Sequence, residues 1–168
     1  MPNEIASINQ QVQLGVEITP GMAVAANKLL KCFDITFGVN ANVSDYTPTG
    51  TKYVAQQDED FEYTDIVVSG NMDYNGLPYL LNSAMGIVAP VAHGVSAVAK
   101  DWLWTPPITG SIPAQTYSFQ QGDSVRARSF AYGILSMFGY KGTRKTPFTI
   151  SGKGFGQSLT DGITLTPT

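Results

Sequence analysis

The sequence predicts a mainly β domain with one helix, and three observations carry that expectation. Short segments alternate apolar and polar residues with the two-residue period of a half-buried strand, and one segment alone carries the longer helical period. Turn formers are dense, with 17 Gly and 10 Pro in 168 residues, and no long tract of strong helix formers occurs. Aromatics suited to pleated surfaces are frequent, at 8 Phe, 8 Tyr and 2 Trp. A hydrophobic share of 43% beside a charged share of 14% supplies a core and excludes a disordered tail. A chain this long buries roughly 70% of its unfolded surface and needs no disulfide staple.

Residues 1–10 read as a polar N-terminal arm, and 11–166 as the β domain. Gln11 to Ile18 alternates cleanly, with Val12, Leu14, Val16 and Ile18 on one face and Gln11, Gln13, Gly15 and Glu17 on the other. Pro20-Gly21 turns the chain, and Met22 to Asn27 suits one helical turn. A second strand follows, with Leu29, Phe33, Ile35, Phe37 and Val39 on one face. From 41 to 62 the apolar pattern vanishes, which predicts a long loop holding Asp45, the turn Thr47-Pro48-Thr49-Gly50 and an acidic run. Phe61 to Met72 returns to strand composition, with Ile66-Val67-Val68 expected to be buried on both faces or set beside a second layer.

Leu77, Leu80, Leu81, Ala84 and Met85 form a single apolar stripe, so a helix is expected over 75–86 with its leucines toward the sheet. Asp73 or Asn75 can cap it, Pro78 fits the first turn and Gly86 the stop. Further strands are expected at Asp101 to Thr105, Thr116 to Gln120, Val125 to Phe138, from Phe148, and at Ile163 to Thr166, with Gln121-Gly122-Asp123-Ser124 as a hairpin turn. Pro167-Thr168 reads as an end or as a linker to a second domain.

The net charge of −3 opposes a dedicated nucleic-acid binder, which needs a basic face. One Cys and one His, Cys32 and His93, exclude an internal disulfide and leave little for zinc. No basic-then-apolar leader opens the chain, and no stretch is long enough to span a bilayer, so a reducing cytoplasm is the expected setting for folding and assembly.

The search for chemistry returns no catalytic, cofactor or metal residue. His93 lies in a small-residue loop with no carboxylate close by in sequence, and Cys32 reads as a small strand filler. Asp58-Glu59-Asp60 with Glu62 lacks the spacing of a calcium loop. Gly152-Lys153-Gly154-Phe155-Gly156 opens no helix and fails as a phosphate loop, so a bulged or bent strand fits it better. Arg126 and Arg128 share a strand face and are expected to be solvated or ion-paired. The inventory suits a building block, not an enzyme.

The opening Val12-Gln13-Leu14-Gly15-Val16-Glu17-Ile18-Thr19-Pro20-Gly21-Met22-Ala23-Val24-Ala25-Ala26 resembles the start of major tail (tail tube) proteins of long-tailed bacteriophages. Thr49-Gly50-Thr51-Lys52-Tyr53, Val68 to Tyr74 ahead of Leu77-Pro78-Tyr79-Leu80-Leu81, and Gly154-Phe155-Gly156-Gln157 extend the likeness over most of the chain. Relatives with this opening are often longer and carry a second domain. The resemblance implies an antiparallel β-sandwich or partly closed barrel with one flanking helix. It also implies rings, usually of six domains, that stack into a virion tube conducting DNA to the host without binding it tightly. Its partners would be further copies, a tape-measure protein and a tail terminator, with no cofactor and no membrane. Residues 41–62 would serve as the long loop and 1–10 as the arm.

Charge is divided along the chain. Residues 1–65 hold nine acids and three bases, and residues 66–168 hold four acids and seven bases. Asp58, Glu59, Asp60 and Glu62 are therefore expected to meet Lys141, Arg144 and Lys145 across a subunit or ring boundary. The competing reading is an extracellular β-sandwich binding module, for carbohydrate for instance, with Trp102 and Trp104 as a stacking platform.

Overall fold

The computed structural model describes residues 10–31, 33–95, 98–105, 110–111 and 113–168, with 59 and 60 described by their backbone. Cys32 and the predicted arm up to residue 9 lie outside the described residues. In chain order the elements are β1 (Gln11–Val16), β2 (Lys28–Leu30), β3 (Phe33–Tyr46), β4 (Gln56–Asn71), α1 (Leu77–Met85), β5 (Val91–Ala92), β6 (Lys100–Asp101), β7 (Tyr117–Gly122), β8 (Ala127–Lys141), β9 (Thr149–Gly156) and β10 (Thr160–Ile163).

The fold is mainly β and antiparallel, an open sandwich flanked by one short helix. A single ladder runs β2-β1-β7-β8-β9-β4-β3, with β10 also on β8, and β5–β6 form a separate ribbon. β8 belongs to both layers. Its first half pairs with β7 and β10, and its second half pairs with β9. At the crossing the β7–β8 register slips, and Tyr132 takes a left-handed backbone at φ 57°. A bulge that bends a strand is how one strand passes between packed sheets. The two halves then face each other. Phe37 of β3 meets Phe119 and Phe130 edge-on, with ring centroids 6.1 and 4.8 Å apart.

The core takes Val12, Leu14, Leu30, Tyr117, Phe119 and Phe130 from one layer. Phe33, Ile35, Phe37, Ile66, Val68, Leu135 and Ile150 come from the other. Leu30, not Leu29, points inward, because the predicted second strand breaks before Phe33 and its alternation restarts as the chain changes layer. Val67 is 45% exposed, so β4 buries one face, not two.

α1 occupies the predicted segment. The Asp73 carboxylate accepts from Gly76 N at 3.2 Å and turns the chain into it. Leu80 and Ser83 are buried, whereas Leu77 and Leu81 are half-buried. Ser83 faces inward for a polar reason: its Oγ accepts from Leu135 N at 2.9 Å, beside the second bulge in β8. Tyr117 is buried under the helix and donates to Tyr79 O at 2.8 Å. Burial, with the Tyr79 phenol adding to it, holds the Tyr117 phenol above the usual tyrosine range. The folded state therefore keeps a proton that the unfolded chain releases near pH 10. The stability this contributes is complete below about pH 10 and falls as pH rises beyond it. Tyr117→Phe is expected to flatten that alkaline loss in urea melts, at a cost of about 1 kcal/mol at neutral pH for the missing hydrogen bond.

Two further expectations are corrected. Residues 41–62 are not a loop. β3 and β4 continue as paired strands out to Tyr46 and Gln56, leaving only 47–55 as the connection. This stretch projects beyond the two-layer body with residues on both faces exposed, so nothing selects apolar alternation there. Polar cross-strand contacts replace it, such as Asn40 Nδ2 to Tyr63 Oη at 2.7 Å and Gln57 Nε2 to Asp45 Oδ1 at 2.8 Å. The tip carries the predicted turn, with Thr51 N donating to Pro48 O and Gly50 at φ 93°. Met22 to Asn27 is not a helical turn either; it forms no regular element and crosses the outer face of β1.

Candidate assembly surfaces

The segment 15–26 gains a physical explanation from its packing. Gly15 is obligatory because any Cβ would strike the Ala25 carbonyl and the Val24 side chain, and Ala26 is fully buried. That crossing segment buries the supposedly polar face of β1, so Gln13 and Glu17 are 1% and 3% exposed while Ile18 is 95% exposed. Glu17 is the organising residue that alternation alone could not identify. Its carboxylate accepts from Gly21 N (2.8 Å), Ser118 Oγ (2.8 Å) and Tyr132 N (2.9 Å). One side chain thus ties the Thr19–Met22 turn, β7 and the β8 crossing together.

The outward face of β3, β4 and β9 is mostly small and polar: Asp34, Thr36, Gly38, Asn40, Asp65, Ser69, Ser151 and Lys153. Toward its hairpin end this face sinks into an open groove of about 750 Å³, walled by Phe61, Tyr63, Tyr132 and Phe155 with Glu62 and Asp65. Phe61 and Tyr63 lie 5.6 Å apart, and Phe61 is 63% exposed. Of the predicted acidic run, Glu62 lines the groove, and Asp58 lies farther out, accepting from Gln56 Nε2 at 2.8 Å. Lys141 ends β8 opposite Thr149, which also pairs with Asn71 at the far end of β4. The acidic and basic clusters thus occupy opposite poles of one layer, and the structure does not bring them together within a subunit.

The other marked residues are placed as follows. His93 does have a carboxylate partner: the β5–β6 pairing sets its Nδ1 at 2.7 Å from Asp101, both side chains more than 60% exposed. Trp102 and Trp104 stack on each other, 5.5 Å apart and 7° from parallel, so each covers one face of the other. Trp104 Nε1 and Val88 N both donate to Asn82 Oδ1, which anchors the start of the excursion after α1. The predicted strand over Asp101 to Thr105 is reduced to the short β6. Arg126 and Arg128 are ion-paired with Asp161 on β10, and the Arg126 hydrogen bond holds that carboxyl below the usual carboxylate range. Gly152-Lys153-Gly154-Phe155-Gly156 is a regular strand with its glycines inward; the bulge lies in its neighbour β8. Among the described residues no three metal-ligating side chains converge, and no helix is long and apolar enough to cross a membrane.

No family model and no curated protein matches the chain. Solved structures do. A chain in the tail of an empty gene transfer agent particle, determined by helical refinement with C6 symmetry, superposes with a TM-score of 0.52 at 7% identity, covering 95% of this chain and 99% of that one. A chain in the virion of the native gene transfer agent particle gives 0.52 at 8% identity, with the same coverage. At these identities the likeness establishes a shared fold along almost the whole of both chains.

Proposed function

We propose that the chain is a structural subunit of a phage-type tail tube, a non-enzymatic virion protein that forms rings which stack around a DNA conduit. The observation that carries this reading is the end-to-end likeness to a chain in a tail of C6 symmetry. The open sandwich suits it. β3 and the second half of β8 leave the layer β8-β9-β4-β3 with an edge on each side. Unpaired edges of this kind are templates for strand addition, and β3 is 14 residues long. Side-by-side pairing of such layers around an axis turns their common outward face into a lumen.

That face would then present mainly hydroxyls, amides and carboxylates to DNA, with Lys153 as its one cation among the described side chains on β3, β4 and β9. A conduit that accumulated phosphate contacts would hold its cargo, since affinity grows with each neutralised phosphate. A tape-measure protein and a tail terminator would bound the tube's length, with assembly in the host cytoplasm.

The test is electron microscopy and sedimentation of the purified chain over a rising concentration series. Rings or tubes with six domains around the axis are expected, together with no retention of duplex DNA at physiological salt. A monodisperse monomer at every concentration, alone or beside a tail-initiator complex, would reject the tube. Trp102 and Trp104 stack one on the other and so do not lie side by side as the flat platform that the carbohydrate-module reading calls for.

A further inference from the structure

Resting on the tube reading, we infer that the aromatic groove on the outward face of β4, β9 and β8 is an axial socket, and that its occupant is the β8–β9 turn of a second copy. The groove needs an occupant. Four aromatic side chains, Phe61, Tyr63, Tyr132 and Phe155, surround about 750 Å³ of open space on a face that elsewhere is mostly polar, with Val67 and Met137 as its exposed apolar residues. Concentrated exposed apolar surface of this kind marks a contact site.

The subunit's own turn cannot fill it. Phe61 lies near the outer part of β4, and the turn follows the level of Asn71 and Thr149 at the other end. Ten residues of strand separate Phe61 from that end and six separate Asp65 from it, roughly 20–33 Å at the rise of a β-strand. A copy displaced along the strand direction by about that length sets its turn at the groove. The surfaces meeting there are unlike, so the contact is heterologous and repeats without closing.

The turn has the matching chemistry. Lys141, Arg144 and Lys145 face a socket bearing Asp65, with Asp58 farther out on the same face, against the single Lys153. Asp45 and Asp58 extend the negative field along the hairpin. Guanidinium and ammonium groups also favour aromatic faces, which the socket supplies. Apolar surface is present on both sides, since Phe148 and Tyr140 are 54% and 73% exposed.

The knob is preformed. Thr146 donates from both N and Oγ1 to Thr143 O, at 3.1 and 3.0 Å, and Lys145 takes φ 71°. The Phe148 ring lies directly over Gly142, where any Cβ would collide with it. A turn already held in shape loses little freedom on docking.

The experiment uses the whole chain. R144E with K145E is expected to leave rings intact but shorten tubes at least tenfold, and adding D58K with D65K to the same chain is expected to restore stacking. F61S with F155S is expected to stop stacking at any salt, whereas raising salt from 0.1 to 1 M should shorten unmodified tubes only in part, because screening touches the ionic share alone. S136C with T143C in a C32S background, treated with a short bis-maleimide, should give a ladder of linked subunits only when rings stack. Circular dichroism melts verify that each variant folds. Tubes of normal length from R144E/K145E or from F61S/F155S, or normal tubes without the cross-linked ladder, overturn the socket and leave the tube reading intact. An unmodified chain that forms neither rings nor tubes overturns both.

Discussion

Replacing Glu17 with alanine is expected to cost about 4 kcal/mol and to lower the melting temperature by roughly 10 °C. The carboxylate is 3% exposed and accepts three hydrogen bonds, from Gly21 N, Ser118 Oγ and Tyr132 N. Each bond to a charged acceptor contributes about 1.5–3 kcal/mol, and each donor left dry costs about 1–3 kcal/mol. Water or a shift of the Thr19–Met22 turn recovers part of that, so the sum is discounted. The remainder is still a large share of the 5–15 kcal/mol that typically separates a folded domain from its unfolded chain. Tyr132 amplifies the effect, because its left-handed backbone is held in place by the lost acceptor. Glu17→Gln keeps one carbonyl acceptor but turns an amide donor toward donors, and about half the loss is expected. Urea and thermal melts of the two variants check this. A change below 1 kcal/mol for Glu17→Ala would mean that the hub is replaceable by solvent.

Gly154→Ala is expected to destabilise by about 3 kcal/mol or to prevent folding, although it adds one methyl group. The added carbon would overlap the Ile134 carbonyl oxygen and stand 3.1 Å from Leu135 Cα. Both are backbone atoms of β8 beside its bulge, so no side-chain rotation relieves the clash. Gly38→Ala on β3 is the control. Its nearest neighbour would be Asp65 Cβ at 3.9 Å, an ordinary contact, and a change within about 0.5 kcal/mol is expected. Equal effects at the two glycines would show that loss of glycine as such, not the proximity of β8, governs stability.

Alternation was readable wherever one face of a strand meets the core and the other meets water. Phe33, Ile35 and Phe37 on β3 follow it, and so does the hairpin between β7 and β8. It failed where a face was exposed or buried by something with no period of its own. The outer half of the β3–β4 hairpin has no buried face to select apolar residues, so paired strands looked like a loop. β1 was misread for the opposite reason: an irregular, alanine-rich segment covers its polar-looking face and turns Glu17 into an interior residue. The charged clusters were visible as residues, but their separation to opposite poles depends on strand pairing. The groove was invisible because Phe61, Tyr132 and Phe155 come from three different strands and converge only once β8 has bent.

That bend has a consequence for cooperativity. β8 carries the pairing of β7 and β10 in its first half and of β9 in its second. Neither layer can open without stripping partners from the strand that also anchors the other. Amide protons in the centre of β8 should therefore exchange only through global unfolding, whereas those of the projecting hairpin exchange by local fraying. The same strand would carry load between the layers, so a pull on either one would be resisted by both.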